Sequence, residues 1–295
     1  MTARGSIPDP VPGRTRVLVV GAGLMGAGIA QTAAMAGYAV EVVDRSASFL
    51  TAAQGRVRDS LDRFARRPEY RGEAPQAVAD RIVWSTGLER AAGRSDLVIE
   101  AITEDLDAKQ ALFRDLAERT ADSVLLATNT SQFPIGEVAA TCRAPERVAG
   151  MHWSNPPPIM PLVEIIRADA SDPSAVTAAQ AFVRTCGKEV VTCEKDVPGF
   201  IANRFSGALF TEAMRLVDEG VAEPADIDAV ARLVLGHRMG PIETLDFVGL
   251  DTALRGFTRM NAYYGGGRFY PPPVLAELVS QGHFGRKTGS GFYRE

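Results

Sequence analysis

Over the first two-thirds of the chain, short apolar runs alternate with stretches of helical period. Val17 to Val20 is an uninterrupted apolar run ending at Gly21, which predicts a buried strand over 16–21. The alanine-rich stretch that follows predicts a helix over 24–37, and a second apolar run predicts a strand over 39–44. The alternation continues with a helix over 48–67, strands over 82–84 and 96–101, a helix over 107–119 and a strand over 124–127. Strands that alternate with helices predict a parallel, doubly wound sheet. Two more apolar runs, 148–153 and 162–166, flank a proline-rich turn over 155–161. A helix from about 173 and a strand over 188–192 complete this part.

At Pro198-Gly199 the texture changes, and only helical periods remain: 200–220, 224–235, 242–263 and 272–281. The fold class is α/β, a doubly wound sheet followed by an all-α C-terminal domain. Three segments follow: a flexible N-terminal extension over 1–14, rich in proline and glycine, a sheet domain over 15–197 and a helical domain over 198–295.

Composition narrows the function classes. The 295 residues carry a formal charge of −4, which gives no reason to expect nucleic acid or a membrane surface as partner. No apolar run approaches the length of a membrane span. The first residues lack the apolar core of a signal peptide, so a cytoplasmic protein is expected. Cys142, Cys186 and Cys193 form no CxxC pair, so neither a disulfide framework nor a zinc site is expected, and no metal-ligand cluster is seen.

Gly21-Ala-Gly23-Leu24-Met25-Gly26 matches GxGxxG between a predicted strand and a predicted helix. Gly21 permits a tight turn, Gly23 lets backbone approach a pyrophosphate, and Gly26 allows close helix–strand packing. A helix N-terminus supplies free N–H groups for the phosphates. Asp44 ends the second strand, 23 positions after Gly21. A carboxylate there accepts from ribose hydroxyls and repels a 2′-phosphate, so the expected cofactor is NAD in a Rossmann-type domain.

Hydride removal from an alcohol needs a base, and histidine suits the task near neutral pH. Of His152, His237 and His283, only His152 lies at a strand end just past the nucleotide-binding core. Twelve residues on, Glu164 sits in the opposing apolar run. If the two runs pair around the proline turn, Glu164 meets His152 and orients its ring. A carboxylate in an apolar strand is costly without such a partner.

These residues belong to a wider pattern. Gly150-Met-His-Trp-Ser-Asn-Pro-Pro-Pro-Ile-Met-Pro-Leu-Val-Glu164 resembles the signature of the L-3-hydroxyacyl-CoA dehydrogenases. So do Gly21 to Gly28, Ile99-Glu-Ala-Ile-Thr-Glu104, Asn129-Thr-Ser131 and Pro198-Gly-Phe-Ile-Ala-Asn-Arg204. Met239-Gly-Pro-Ile-Glu243 and Phe284-Gly-Arg-Lys-Thr-Gly-Ser-Gly-Phe-Tyr293 extend the likeness, in order, to the end of the chain. The resemblance implies an NAD-dependent 3-hydroxyacyl-CoA dehydrogenase of fatty-acid type, with a helical domain that forms a homodimer. It implies His152 as general acid/base, Glu164 as its partner, Ser131 on the substrate's 3-oxygen and Asn203 holding the substrate. It implies that Leu24, Met25, Ala101, Glu104, Lys109, Asn129, Asn155 and Lys287 approach the cofactor.

The likeness thins on the substrate side. Trp153-Ser154 replaces the usual two phenylalanines, and Gly236-His-Arg238 replaces a Gly-Tyr-Pro. His-Trp-Ser-Asn-Pro-Pro also resembles a branch that oxidises hydroxymethyl-pyridine carboxylates. Arg56, Arg58, Arg63, Arg66 and Arg67 lie on a predicted helix where they could meet CoA phosphates or an acidic carrier protein, or simply face solvent. An acyl-CoA, a carrier-bound acyl group and a small free hydroxy acid therefore all stand as substrates at this level.

Overall fold

The computed structural model describes residues 6–294, and the chain divides into two compact units, Met1–Val197 and Pro198–Glu295. The first holds one sheet of β1 (Arg16–Val20), β2 (Ala39–Val43), β3 (Ile82–Ser85), β4 (Leu97–Glu100), β5 (Leu125–Thr128), β6 (Val148–Trp153), β7 (Leu162–Ile166) and β8 (Glu189–Cys193). The strand order is β3-β2-β1-β4-β5-β6-β7-β8, and every neighbouring pair is parallel except β6–β7. Its helices are α1 (Leu24–Met35), α2 (Ala47–Ala65), α3 (Pro75–Ala79), α4 (Leu88–Ala92), α5 (Leu106–Arg119), α6 (Ile135–Val138) and α7 (Pro173–Thr185). The order of strands reverses between β1 and β4, which opens a crevice at their carboxyl ends.

The sheet folds this way because its central strands are apolar on both faces. β4 and β5 are buried along their whole length, and β1 is buried beyond Arg16. Small residues let α1 approach closely, with Ala27, Ala30, Ala33 and Ala34 all buried against the strands. The short helices α3, α4 and α6 were beyond the reach of periodicity, since four or five residues complete barely one turn.

The expected flexible extension over 1–14 is corrected where it is described; residues 1–5 lie outside the described residues. Ile7 is buried in the core, and its N–H donates to Ser174 Oγ at 3.1 Å. Tyr38 donates from its hydroxyl to the Pro10 carbonyl at 3.3 Å, and Gly13 N–H donates to Gly37 O at 3.1 Å. Ile7 and Pro10 are buried in this proline-rich segment, and burying an isoleucine side chain stabilises by roughly 1.5–3 kcal/mol.

The second unit comprises α8 (Ala202–Asp218), α9 (Pro224–Leu233), α10 (Pro241–Val248), α11 (Leu250–Tyr264) and α12 (Pro273–Ser280). The single helix expected over 242–263 is two helices, α10 and α11. Gly249 divides them at φ +103°, where a Cβ would also run into the Lys287 side chain. Met214, Ile242, Leu245, Leu250 and Phe269 form the core of this unit. Its C-terminal tail makes two isolated antiparallel bridges and is clasped by buried carboxylates. Asp246 accepts from the Phe292 and Tyr293 N–H groups, and Asp228 accepts from Ile242 N–H, Glu243 N–H and the Tyr293 hydroxyl. Among the described residues no helix is long and apolar enough to cross a membrane.

Candidate active site

A cavity of about 740 Å³ opens at the carboxyl ends of the central strands of the first unit. Its floor is the glycine loop. Gly21 has φ +109°, and a Cβ there would strike the Ala101 carbonyl, so only glycine fits between β1 and the end of β4. A Cβ on Gly26 would strike the Gly21 carbonyl, whereas one on Gly23 would meet nothing within 4 Å, because Gly23 faces open space. Gly23 caps α1 without a side-chain hydrogen bond, and the first turn holds no acidic residue. The first N–H groups of α1 are thus free of a competing anion, the arrangement that binds phosphate.

Asp44 stands on the rim of this cavity, half-buried. Its Oδ2 accepts from Ala22 N–H at 2.8 Å and its Oδ1 from Ser46 N–H at 2.9 Å. Both bonds pin the carboxylate to the loop, and each oxygen keeps a lone pair for a ribose hydroxyl. Leu24, Met25, Ala101, Glu104, Lys109, Asn129 and Ser131 share the lining. The size lies within the range of ligand pockets, and the loop, helix end and carboxylate together fit a dinucleotide.

Sequence reasoning missed the network beneath the crevice. Glu100, fully buried at the end of β4, accepts from Lys109 Nζ at 2.7 Å, Thr128 Oγ1 at 2.6 Å and Ile102 N–H at 2.8 Å. Lys109 Nζ lies 3.4 Å from Glu104, whose Oε1 also accepts from the Thr130 hydroxyl. The network ties the loops after β4 and β5 together, and its buried charges are compensated only as a set. A glutamate closing an all-apolar strand was the one available signal. Arg56 is also reassigned: it donates to the Ala22 carbonyl at 2.8 Å and so braces the glycine loop.

The second constellation rests on the one antiparallel strand pair of the sheet. His152 on β6 lies directly opposite Glu164 on β7. Cross-strand partners of this kind face each other at contact distance. Glu164 Oε2 is 2.6 Å from His152 Nδ1, and both side chains are buried. A carboxylate on Nδ1 holds that nitrogen protonated and leaves Nε2 to exchange a proton. Ser131 Oγ, in the loop after β5, is 3.0 Å from Nε2. Asn129 Oδ1 accepts from Trp153 N–H at 2.9 Å, locking the β5 loop to the strand that carries His152. Ser131 and Asn129 also line the 740 Å³ cavity, so the relay opens onto it.

The other sequence candidates fall on other elements. Asn155 stands on the proline turn and lines a smaller cavity with Gly28 and Arg56. The turn packs so closely on α1 that a Cβ at Gly28 would come within 2.8 Å of Pro157. Asn203 is half-buried in the first turn of α8 in the second unit. Lys287 belongs to the same unit and pairs with Asp251 at 2.6 Å. Trp153 is buried in the core, on the face of β6 opposite His152, with its ring 6.4 Å from that of Phe182. Of the two unusual residues after the histidine, Trp153 therefore packs away from the His152 face.

Residues 16–197 match the family model for the 3-hydroxyacyl-CoA dehydrogenase NAD binding domain, and residues 199–295 match the C-terminal domain of that family. The chain is 40% identical over 278 residues to a probable 3-hydroxybutyryl-CoA dehydrogenase of Bacillus subtilis, covering 94% of this chain and 96% of that one. A crystal structure of (S)-3-hydroxybutyryl-CoA dehydrogenase from Ralstonia eutropha superposes with a TM-score of 0.90 at 36% identity, covering 95% of this chain and 98% of that one. An NAD+-dependent dismutase, a dehydrogenase of a formyl-hydroxy-methylpyridine carboxylic acid, superposes at 0.77 with 30% identity, covering 95% and 90%. With both domain models matched in order and a glycine crevice built for a dinucleotide, the chain belongs to the 3-hydroxyacyl-CoA dehydrogenase family and is an NAD-dependent oxidoreductase.

Proposed function

We propose that this enzyme interconverts 3-hydroxyacyl and 3-oxoacyl CoA thioesters of short chain, such as 3-hydroxybutyryl-CoA, with His152 as general acid/base. The Ser131–His152–Glu164 relay at the edge of the cofactor crevice carries the reading. NAD, when bound, supplies the hydride acceptor at its nicotinamide ring. In oxidation His152 Nε2 takes the proton of the C3 hydroxyl, and Glu164 stabilises the imidazolium that results. In reduction the same nitrogen returns the proton. The Ser131 hydroxyl donates to the C3 oxygen and orients it toward Nε2. Asn203 keeps its role in holding the substrate from the family resemblance alone.

The CoA reading is supported by the names of the most similar relatives and by four arginines, Arg58, Arg63, Arg66 and Arg67, exposed on α2 and just beyond it. Phe205, Leu233 and Val234 are 80%, 85% and 75% exposed on the second unit, which supports a homodimer formed through helical surfaces. Light scattering at micromolar concentration tests the dimer.

The function is tested by following NADH consumption with acetoacetyl-CoA beside a panel of free keto acids and pyridine carboxaldehydes. Turnover of the thioester with little on the free acids is expected. Turnover of free acids with none on the thioester overturns the proposal.

A further inference from the structure

The chain leaves β8 for the second unit through a carboxylate that the reaction scheme does not use. Asp196 Oδ1 accepts from Ile135 N–H at 2.8 Å, and its Oδ2 accepts from Gly136 N–H at 2.7 Å. These are the first two N–H groups of α6, whose own N-cap position, Pro134, has no side chain to satisfy them. A residue sixty positions further along the chain therefore supplies the missing cap.

What α6 holds gives the cap its importance. Three residues separate Ser131 from Ile135. The intervening loop is fixed at its start, where Thr130 donates to Glu104 and accepts from Phe133 N–H at 3.1 Å. Its end is fixed by Asp196. Ile135 is fully buried and lies over Gly150, so closely that a Cβ on Gly150 would come 2.7 Å from Ile135 Cδ1. Gly150 precedes His152 by two positions on β6, and the two residues share a face of the sheet. α6 is thus seated beside His152, and the position of its first turn sets where Ser131 Oγ meets Nε2.

We propose that Asp196 is a positioning residue for the reaction, holding the Ser131 loop against His152 while it is ionised and releasing it when protonated. The inference rests on the catalytic reading of Ser131 and His152 given above. Burial pushes the Asp196 carboxyl above the usual carboxylate range, and repulsion from Asp169 and Glu137 acts in the same direction, against the two backbone N–H bonds. The groups facing it are Glu137 on α6, Asp169 after β7 and Cys193 at the end of β8. A protonated carboxyl gives up one of its two acceptor positions on α6. The sign for stability runs the other way. With its folded pKa raised, Asp196 favours the folded state more, not less, as pH falls. Loss of activity from this group on acidification is therefore not loss of fold.

The test follows the pH dependence of acetoacetyl-CoA reduction, whose acid limb the proposal assigns to Asp196. We expect Asp196→Asn to lower kcat about tenfold, the loss of one well-placed hydrogen bond to the reacting oxygen, and to flatten the acid limb. NADH affinity, read by fluorescence, should stay within about twofold, because Asp196 does not line the cofactor crevice. In a Ser131→Ala background the same change should cost little more. An acid limb that persists in Asp196→Asn, or a full additional loss in the Ser131→Ala background, overturns the proposal. If Asp196→Asn does not fold, the Gly136 amide resonance of the wild-type enzyme decides: it should titrate with the midpoint of the acid limb, and a resonance that does not move overturns the proposal. A His152→Ala enzyme with undiminished rate would instead defeat the catalytic reading on which the inference rests.

Discussion

The cofactor crevice and the Ser131–His152–Glu164 relay sit in the same unit and are built by opposite means. The crevice works through backbone: a left-handed glycine, a helix end without a cap and a carboxylate pinned by two N–H groups. Its glycine floor and its carboxylate come from a single β1–α1–β2 stretch, while residues after β4 and β5 complete the wall. The relay works through side chains that come from three segments and meet only because β6 and β7 pair antiparallel in one register. A one-residue slip of that register would turn Glu164 to the other face of the sheet. The glycine floor of the crevice is a local property of the chain, whereas the proposed chemistry depends on long-range pairing.

The two regions should therefore separate under mutation. The largest effect is expected from His152→Ala, a loss of turnover of at least roughly 100-fold in steady-state assays with NADH affinity unchanged. Weakened NADH binding in that variant would show that the two regions are not independent. Next comes the network that joins the loops above β4 and β5. Lys109→Met removes the cation that compensates buried Glu100 and should lower unfolding free energy by about 3–5 kcal/mol in denaturant titrations. Asp44→Ala should weaken NAD about 10- to 100-fold by removing charge-assisted bonds to the ribose, with kcat at saturating cofactor retained. The smallest effect is expected from Trp153→Phe, which alters the core side of β6. It should cost less than about 1.5 kcal/mol and leave kcat near wild type.

The same contrast explains what could be read from the amino acids. Gly21, Gly23, Gly26 and Asp44 were legible because strand, turn, helix and strand follow one another within thirty residues and each residue type answers a local demand. His152 and Glu164 were legible as a pair only through the proline turn between two apolar runs, which suggested the hairpin that the structure contains. Glu100, Thr128, Thr130 and Asp196 were not legible. Their partners come from other elements, and no spacing along the chain encodes a carboxylate that caps a helix sixty residues earlier. Ile7 and Gly249 misled for a related reason: one buried isoleucine docks a segment rich in proline and glycine, and one left-handed glycine divides a continuous helical period.

Deuteride transfer from NADH carrying deuterium at both C4 positions to acetoacetyl-CoA tests most directly the claim that the relay and the crevice together reduce C3 of an acyl thioester. The 3-hydroxybutyryl-CoA product should carry one deuterium at C3 by mass spectrometry, and His152→Ala should slow its formation at least roughly 100-fold while labelled NADH remains bound. Product without deuterium at C3, or labelled product formed undiminished by His152→Ala, would contradict the account.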